Sequence, residues 1–247
     1  MTKPKHKSYK AVAPTYLIMY ERCPFQFKCA RVDRVESDSE DSEILVFGNF
    51  VHYAMELYLA GGVSANDAFV RTHCERILTR YDPLLVAKAF DKAKRAYDWT
   101  VKQVTTILDS DETVYLSEMM FNCKNRFGVG ISGRLDLGVY FPAKNVFKVY
   151  DFKGTYKVPS DDQLIFYYWG VKDKWPSVDV DLFYLWFTKR LYKKAMVNEA
   201  VEFALNERIV SMLSSVQAGD FPARKGKHCS WCGFKKYCPL FGGSHVG

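Results

Sequence analysis

The sequence predicts a mixed α/β (α+β) fold, with helices packed on a sheet of about four or five strands. Helical apolar spacing fills much of the first half of the chain, and short β-branched and aromatic runs open the second half. Those runs then alternate with helices, in the order helices, strands, helix–strand–helix. Size agrees: 247 residues at 48% hydrophobic content suffice for one large core, alone or with a satellite module.

The charge balance bounds the partners. Lys and Arg number 35 against 28 Asp and Glu, a net charge of +7. That suits a polyanion without demanding one. No apolar run is long enough to span a bilayer, and MTKPKHKSYK lacks the apolar core of a signal peptide. An intracellular, cytoplasmic protein with no membrane partner is expected. Its seven cysteines are then expected to stay reduced, which makes metal ligation the question to ask of them.

Residues 1–13 read as a basic lead-in. Thr15 is expected to cap a short helix ending at Arg22, because Cys23 precedes Pro24 and resists helical geometry. Residues 36–43 (ESDSEDSE) read as an exposed acidic loop. Phe47 to Leu59 reads as a helix stopped by Gly61 and Gly62. His52 and Glu56 share one of its faces. Ser64 to Leu78 reads as a second helix. Pro83 to Leu108 reads as a third, with Asp82 as cap and Pro83 in the first turn. Residues 44–110 are taken as helical cover over the sheet. The basic residues Lys88, Lys92, Lys94, Arg95 and Lys102 of the long helix face either solvent or nucleic acid.

The core is expected over residues 112–216. Glu112 to Cys123 opens the sheet, and its Glu118 lies near the other acids or faces water. Leu135 to Tyr140 and Phe147 to Phe152 read as strands joined by a turn at Pro142–Asn145. Paired antiparallel, they would set Asp136 near Asp151. Asp151 and Lys153 share a face while Phe152 points the other way. Asp161 to Val171 reads as a helix whose acidic start suits its dipole, with Gln163 and Tyr167 on one face. Val178 to Thr188 reads as a strand. Lys189, Arg190, Lys193 and Lys194 read as a basic patch. Asn198 to Val216 reads as a helix capped by Asn198, with Gly219 past its end.

Two carboxylates and an ammonium converging in this way suit a hard cation such as Mg²⁺. A metal there polarises a phosphodiester and lowers the pKa of a bound water, and the lysine orients that water or steadies charge on phosphorus.

Near the C-terminus, Cys229, Cys232 and Cys238 form C-x2-C-x5-C. Three thiolates leave a four-ligand shell incomplete. Cys23 is the best fourth candidate, since it too precedes a proline at a helix end, and it would clasp residues 14–30 to 219–241. His228 is the rival, which would make a zinc site. Sulfur ligation suits zinc or an iron–sulfur cluster alike. Cys29, Cys74 and Cys123 are left as buried free thiols.

Together these features resemble the PD-(D/E)XK nuclease superfamily, in particular its RecB-like iron–sulfur branch. That branch includes AddB-type helicase–nuclease domains and the Cas-four-type exonucleases of CRISPR adaptation. Tyr16-Leu17 through Cys23-Pro24-Phe25-Gln26-Phe27 resembles the entry motif around the first cluster cysteine. Gly133-Arg134-Leu135-Asp136 resembles G-x-x-D, and Asp151-Phe152-Lys153 resembles D/E-x-K. Gln163 and Tyr167 match Q-x-x-x-Y, and His52 falls where the family has a metal-binding histidine.

The resemblance implies one restriction-endonuclease-like domain over 1–247 and a Mg²⁺- or Mn²⁺-dependent DNA nuclease. His52, Asp136, Asp151 and the Phe152 main-chain carbonyl would hold the ion, and Lys153 would position the attacking water. Gln163 and Tyr167 would organise the site. Cys23, Cys229, Cys232 and Cys238 would hold a structural [4Fe–4S] cluster, with zinc as the alternative. Expected partners are DNA, single-stranded or with free ends; further copies of the chain and recombination or CRISPR proteins are the other candidates. The competing readings are a non-catalytic DNA-binding or adaptor subunit with the same fold, and a zinc-stapled nuclease acting on RNA.

Overall fold

The structure is a computed structural model that describes residues 9–61, 78–109, 113–154, 160–188 and 191–243, with main chain only at 191–193. The first helix, α1, spans Pro14–Arg22 with Ala13 as its N-cap. It starts one residue before the expected Thr15 cap. Pro14 fills the first helical position, where its fixed φ is preformed and its missing N–H costs nothing. The helix ends as expected at Cys23, which is extended at φ −161 before Pro24. A short α2 (Pro24–Phe27) and a π-helix (Lys28–Asp33) follow, closed by Arg34 at φ 56.

Helix α3 spans Glu43–Ala60 and begins earlier than expected, inside the acidic run. Ser42 Oγ accepts from the Leu45 amide at 3.3 Å, and Glu43 complements the positive end of the helix. Helix α4 spans Pro83–Leu108, with the Asp82 carboxylate accepting from the Leu84 amide at 2.7 Å. The helix expected over 64–78 lies outside the described residues apart from Leu78.

The sheet has five strands in the order β1-β2-β3-β4-β5. They are β1 (Val114–Lys124), β2 (Gly130–Phe141), β3 (Val146–Lys153), β4 (Asp179–Trp186) and β5 (Leu191–Ala195). β2 and β3 pair antiparallel, β3 and β4 parallel, β4 and β5 antiparallel. Parallel neighbours need a crossover, and α5 (Asp162–Lys174) lies within it. The glycines early in β2 do not break it. A Cβ at Gly130 would meet the Lys10 carbonyl at 2.0 Å, so only glycine allows Val12 to bridge this strand. β5 occupies part of the stretch read as a basic patch. Charge hid it, because lysines on an edge strand also discourage pairing with another chain.

Two compact units emerge from the packing. One is built from the described parts of residues 1–40, 122–133 and 197–247, the other from those of 41–121 and 134–196. In the second unit α3 and α4 share a core with Leu137, Val139, Tyr150, Phe152 and Leu185 of the sheet and with Phe187 just past β4. α5 buries Leu164, Ile165, Phe166, Tyr167 and Trp169. The first unit contains α1 and α6 (Glu199–Ala218), with Asn198 capping α6 through the Val201 amide and Gly219 ending it at φ 72. Glu21 and Arg208 join α1 to α6 through contacts at 2.6 Å. The buried Asn125 amide donates to Asn206 Oδ1 at 2.9 Å.

Candidate active site and cysteine cluster

The β2–β3 ladder ends at the pair Leu137–Tyr150, so Asp136 and Asp151 are the next residues on the two strands. Past that pair the Phe152 amide donates to Asp136 Oδ2 at 2.7 Å. A side chain takes over where the ladder carbonyl stops. Phe152 enters the core under α3, while Asp151 and Lys153 meet α5 from the other face. This is the alternation expected of a strand.

Four side chains close a ring there. Lys153 Nζ lies 2.5 Å from Asp151 Oδ2 and donates to Gln163 Oε1 at 2.8 Å. Gln163 Nε2 donates to Tyr167 Oη at 2.5 Å, and the Tyr167 hydroxyl donates to Asp151 Oδ1 at 3.2 Å. The ring closes because Gln163 and Tyr167 are one helical turn apart on α5 and Asp151 and Lys153 are two apart on β3. Asp151 is fully buried. From α3, His52 Nδ1 comes within 3.8 Å of Asp136 Oδ2, and its imidazole is hydrogen-bonded to the Phe152 main chain.

Burial sets the electrostatics. It pushes the Asp136 carboxyl up to about 6, against the pull of the Phe152 amide, Lys153 and Arg134. It pushes Asp151 to about 6 as well, with Lys153 opposing and the Asp136 charge adding. Burial lowers His52, which favours the neutral imidazole that can act as a ligand. Burial holds Tyr167 well above the ordinary phenol value, so it stays a donor.

Two further residues belong to this neighbourhood. Glu118, left open between the acids and water, is pushed up to about 7 by burial, then by Asp136. Its Oε2 lies 2.7 Å from Arg134 Nε, and its φ of 52 is unusual for a residue with a side chain. Tyr184 lies under Lys153, whose Nζ is 5.8 Å from the ring centroid. No motif spacing marks Tyr184; only its pairing with Asp151 across β3 and β4 places it there.

Among the described residues no group of three or more His, Cys, Asp or Glu side chains is gathered closely enough to hold a metal as it stands. Asp151 is engaged by Lys153 and Tyr167, and Asp136 by the Phe152 amide. The donor chemistry nevertheless fits a divalent cation. Two carboxylates, an imidazole and a carbonyl are ligands for such an ion. Burial raises both carboxyl pKa values, and a bound cation would offset that cost of charging them.

In the first unit, buried Cys23, Cys29 and Cys238 share an apolar cluster with Phe25 and Phe234, and Cys232 packs against it. Burial raises the Cys232 thiol first, and the charges of Cys23, Cys238 and Cys229 add to it. The four expected ligands thus share a neighbourhood, but like the acids they are not gathered closely enough to hold a metal as they stand. Main-chain amides already point at sulfur: Arg224 N to Cys23 Sγ at 3.5 Å and Gly226 N to Cys229 Sγ at 3.4 Å. The rival ligand His228 has Nε2 3.8 Å from Cys229 Sγ. None of the six described cysteines is in a disulfide, and Cys123 is half-buried rather than buried as expected. Cys29 is buried as expected, but inside this cluster, with its thiol pushed by burial to about 12. The π-helix carries it there, and no sequence pattern announces a π-turn. Cys74 lies outside the described residues.

A solved chain described as "Crystal structure of SSO0001" aligns over 84% of this chain and 89% of its own, at 16% identity and a TM-score of 0.35. No protein of curated function matches. A family model of PD-(D/E)XK nucleases matches residues 11–239, a span that contains the carboxylate ring, His52 and the cysteines. On that match, the chain belongs to the PD-(D/E)XK nuclease superfamily.

Proposed function

We propose that this chain is a Mg²⁺- or Mn²⁺-dependent deoxyribonuclease that degrades single-stranded DNA from a free end. Membership of a nuclease superfamily supports the reaction class. One observation carries the site: the closed ring of Asp151, Lys153, Gln163 and Tyr167 beside Asp136. The preference for single strands and ends rests on the resemblance to RecB-like members.

In this reading Asp136, Asp151, His52 and the Phe152 carbonyl hold the divalent ion. The ion, when bound, neutralises phosphate charge and makes water more acidic. Lys153 holds the attacking water in line and offsets charge gathering on the phosphoryl oxygens. Gln163 fixes the Lys153 ammonium, and Tyr167 fixes Gln163 and Asp151 in turn. The low dielectric that raises the two carboxyl pKa values also strengthens the pull of Lys153. Water oxygen bonds to phosphorus and gives up a proton to solvent, the bridging P–O bond breaks, and the leaving alkoxide takes a proton from solvent.

Cys23, Cys229, Cys232 and Cys238 are proposed to hold a [4Fe–4S] cluster that joins the start of the chain to its end. The neighbouring thiols and the N–H···S contacts support a thiolate-ligated centre. The position of His228 keeps zinc as the alternative.

The test of the reaction is a single strand labelled at either end and offered with Mg²⁺ or Mn²⁺, beside a circular strand of equal length. Progressive loss of the linear strand, divalent-dependent, with the circle resistant, is expected. Tight binding without cleavage would replace the nuclease by the adaptor reading.

A further inference from the structure

The unit that does not carry the carboxylates has a cavity of about 760 Å³. Its walls include Tyr9, Lys10, Tyr16, Arg31, Arg34 and Ser132, and among the described residues no carboxylate lines it. The nearest acid on the π-helix, Asp33, is paired with Lys28 at 2.5 Å. Three cations therefore line one space with no counter-charge among its described walls.

The walls are held in place. The Tyr9 hydroxyl donates to the Arg31 carbonyl at 2.9 Å. Tyr9, Tyr16 and Phe27 pack ring on ring, with centroids 5.6 to 6.1 Å apart. The Arg31 guanidinium is pinned over the Tyr16 ring at 4.8 Å. Both Arg31 and Arg34 act electrostatically on the Tyr9 phenol, so the two cations and the ring share a neighbourhood. Arg34 sits at φ 56, a conformation for which glycine or asparagine is the easier residue. Strain of this kind persists where the surroundings enforce it. The π-helix between α2 and Arg34 presents Ala30 and Arg31 to the cavity, while its Cys29 anchors in the thiol cluster.

We infer that this cavity is a binding subsite for single-stranded DNA, with phosphates on Lys10, Arg31 and Arg34 and an unstacked base against the tyrosines. Cationic walls that track a backbone, interleaved with aromatic faces, are the chemistry of single-strand binding. The volume suits a nucleotide-sized group. Duplex bases are already stacked on each other and leave the rings unused. The inference rests on the reading that the chain acts on DNA, but the subsite is separate from the residues that would cut it.

The test is fluorescence anisotropy with labelled oligothymidylate and a duplex of equal length, with divalent ions omitted so that no cleavage intervenes. Arg31→Ala with Arg34→Ala is expected to weaken oligothymidylate binding about tenfold or more and to lower the salt slope by about two. Arg34→Gly relieves the backbone strain while removing one cation, so it should melt no lower than the parent yet bind more weakly. That variant separates lost folding from lost binding. Lys225→Ala, an exposed lysine of the same unit outside the cavity, should change binding less than about twofold.

Unchanged binding in Arg34→Gly and in the Arg31, Arg34 double variant would overturn the inference. So would an equal loss in Lys225→Ala, or a loss in the arginine variants as large for the duplex as for oligothymidylate. Arginine-dependent binding in a protein that never cleaves would sink the nuclease reading and leave this one standing. Cleavage with arginine-independent binding would do the reverse.

Discussion

The Phe152 amide donates to the Asp136 carboxylate at 2.7 Å, so the main chain of β3 orients the acid of β2. The same residue uses its side chain to fill the core beneath α3 and its main chain to meet His52. One residue thus ties the packing of the sheet to the aim of the site.

The first prediction concerns pH. Asp136 and Asp151 have native pKa values of about 6 against an ordinary 3.8. Between those values the native state binds more protons than the unfolded chain. Stability of the metal-free protein therefore falls as pH rises from about 4 to about 6, by on the order of 3 kcal/mol for each carboxyl. Asp136→Asn removes part of that cost while keeping an acceptor for the Phe152 amide. It should raise the melting temperature of metal-free protein at pH 7.5 and leave it unchanged at pH 4. Added Mg²⁺ should stabilise the parent more at pH 7.5 than at pH 5, and the Asn variant less. Calorimetric melts at the three pH values check this.

The second concerns the ring. Gln163→Leu removes the acceptor that holds Lys153 Nζ at 2.8 Å and the donor to Tyr167. The turnover rate should fall roughly 10- to 100-fold, the scale expected for a residue that positions a catalytic group. The Mg²⁺ midpoint should move little, because Gln163 is not a proposed ligand. A metal titration of the cleavage rate distinguishes the two effects.

The third concerns the cysteines. Cys23→Ser should lower bound metal and melting temperature together, since a cluster joining distant segments is folding free energy. Anaerobic purification, metal analysis and the visible spectrum of parent and variant read it out. Iron with a broad visible band fits [4Fe–4S]; stoichiometric zinc lost in His228→Ala selects the rival. Full metal in Cys23→Ser rejects the clasp.

The fourth concerns the other unit. Asn206→Leu leaves the buried Asn125 amide without the oxygen it reaches at 2.9 Å. An unsatisfied buried donor costs about 1–3 kcal/mol. Urea unfolding should show that loss, with the slope unchanged.

Much of this was legible in the residues. The strand alternation around Asp151 and Lys153, the turn at Pro142–Asn145 and the caps at Asp82 and Asn198 are local chemistry, and they are where spacing put them. The start of α1 and of α3 was misplaced because Pro14 and Ser42 outcompete later starts. β5 went unread because a short edge strand carrying Lys193 and Lys194 looks like surface. The place of Cys29, and of Tyr184 beside Lys153, depends on a π-helix and on a parallel strand pairing. Neither leaves a period in the sequence. The engagement of Asp151 by Lys153 and Tyr167 is likewise tertiary, and it explains why the ligand set reads more clearly in sequence than as a ready cage.

The most direct measurement is the single-turnover rate of end-labelled single-stranded DNA with Mg²⁺, compared between the parent and Lys153→Ala at saturating protein. The account predicts a fall of about a thousandfold or more in the rate, the scale of a lost electrostatic group, with DNA affinity within a few fold. Equal rates in the two proteins would contradict it.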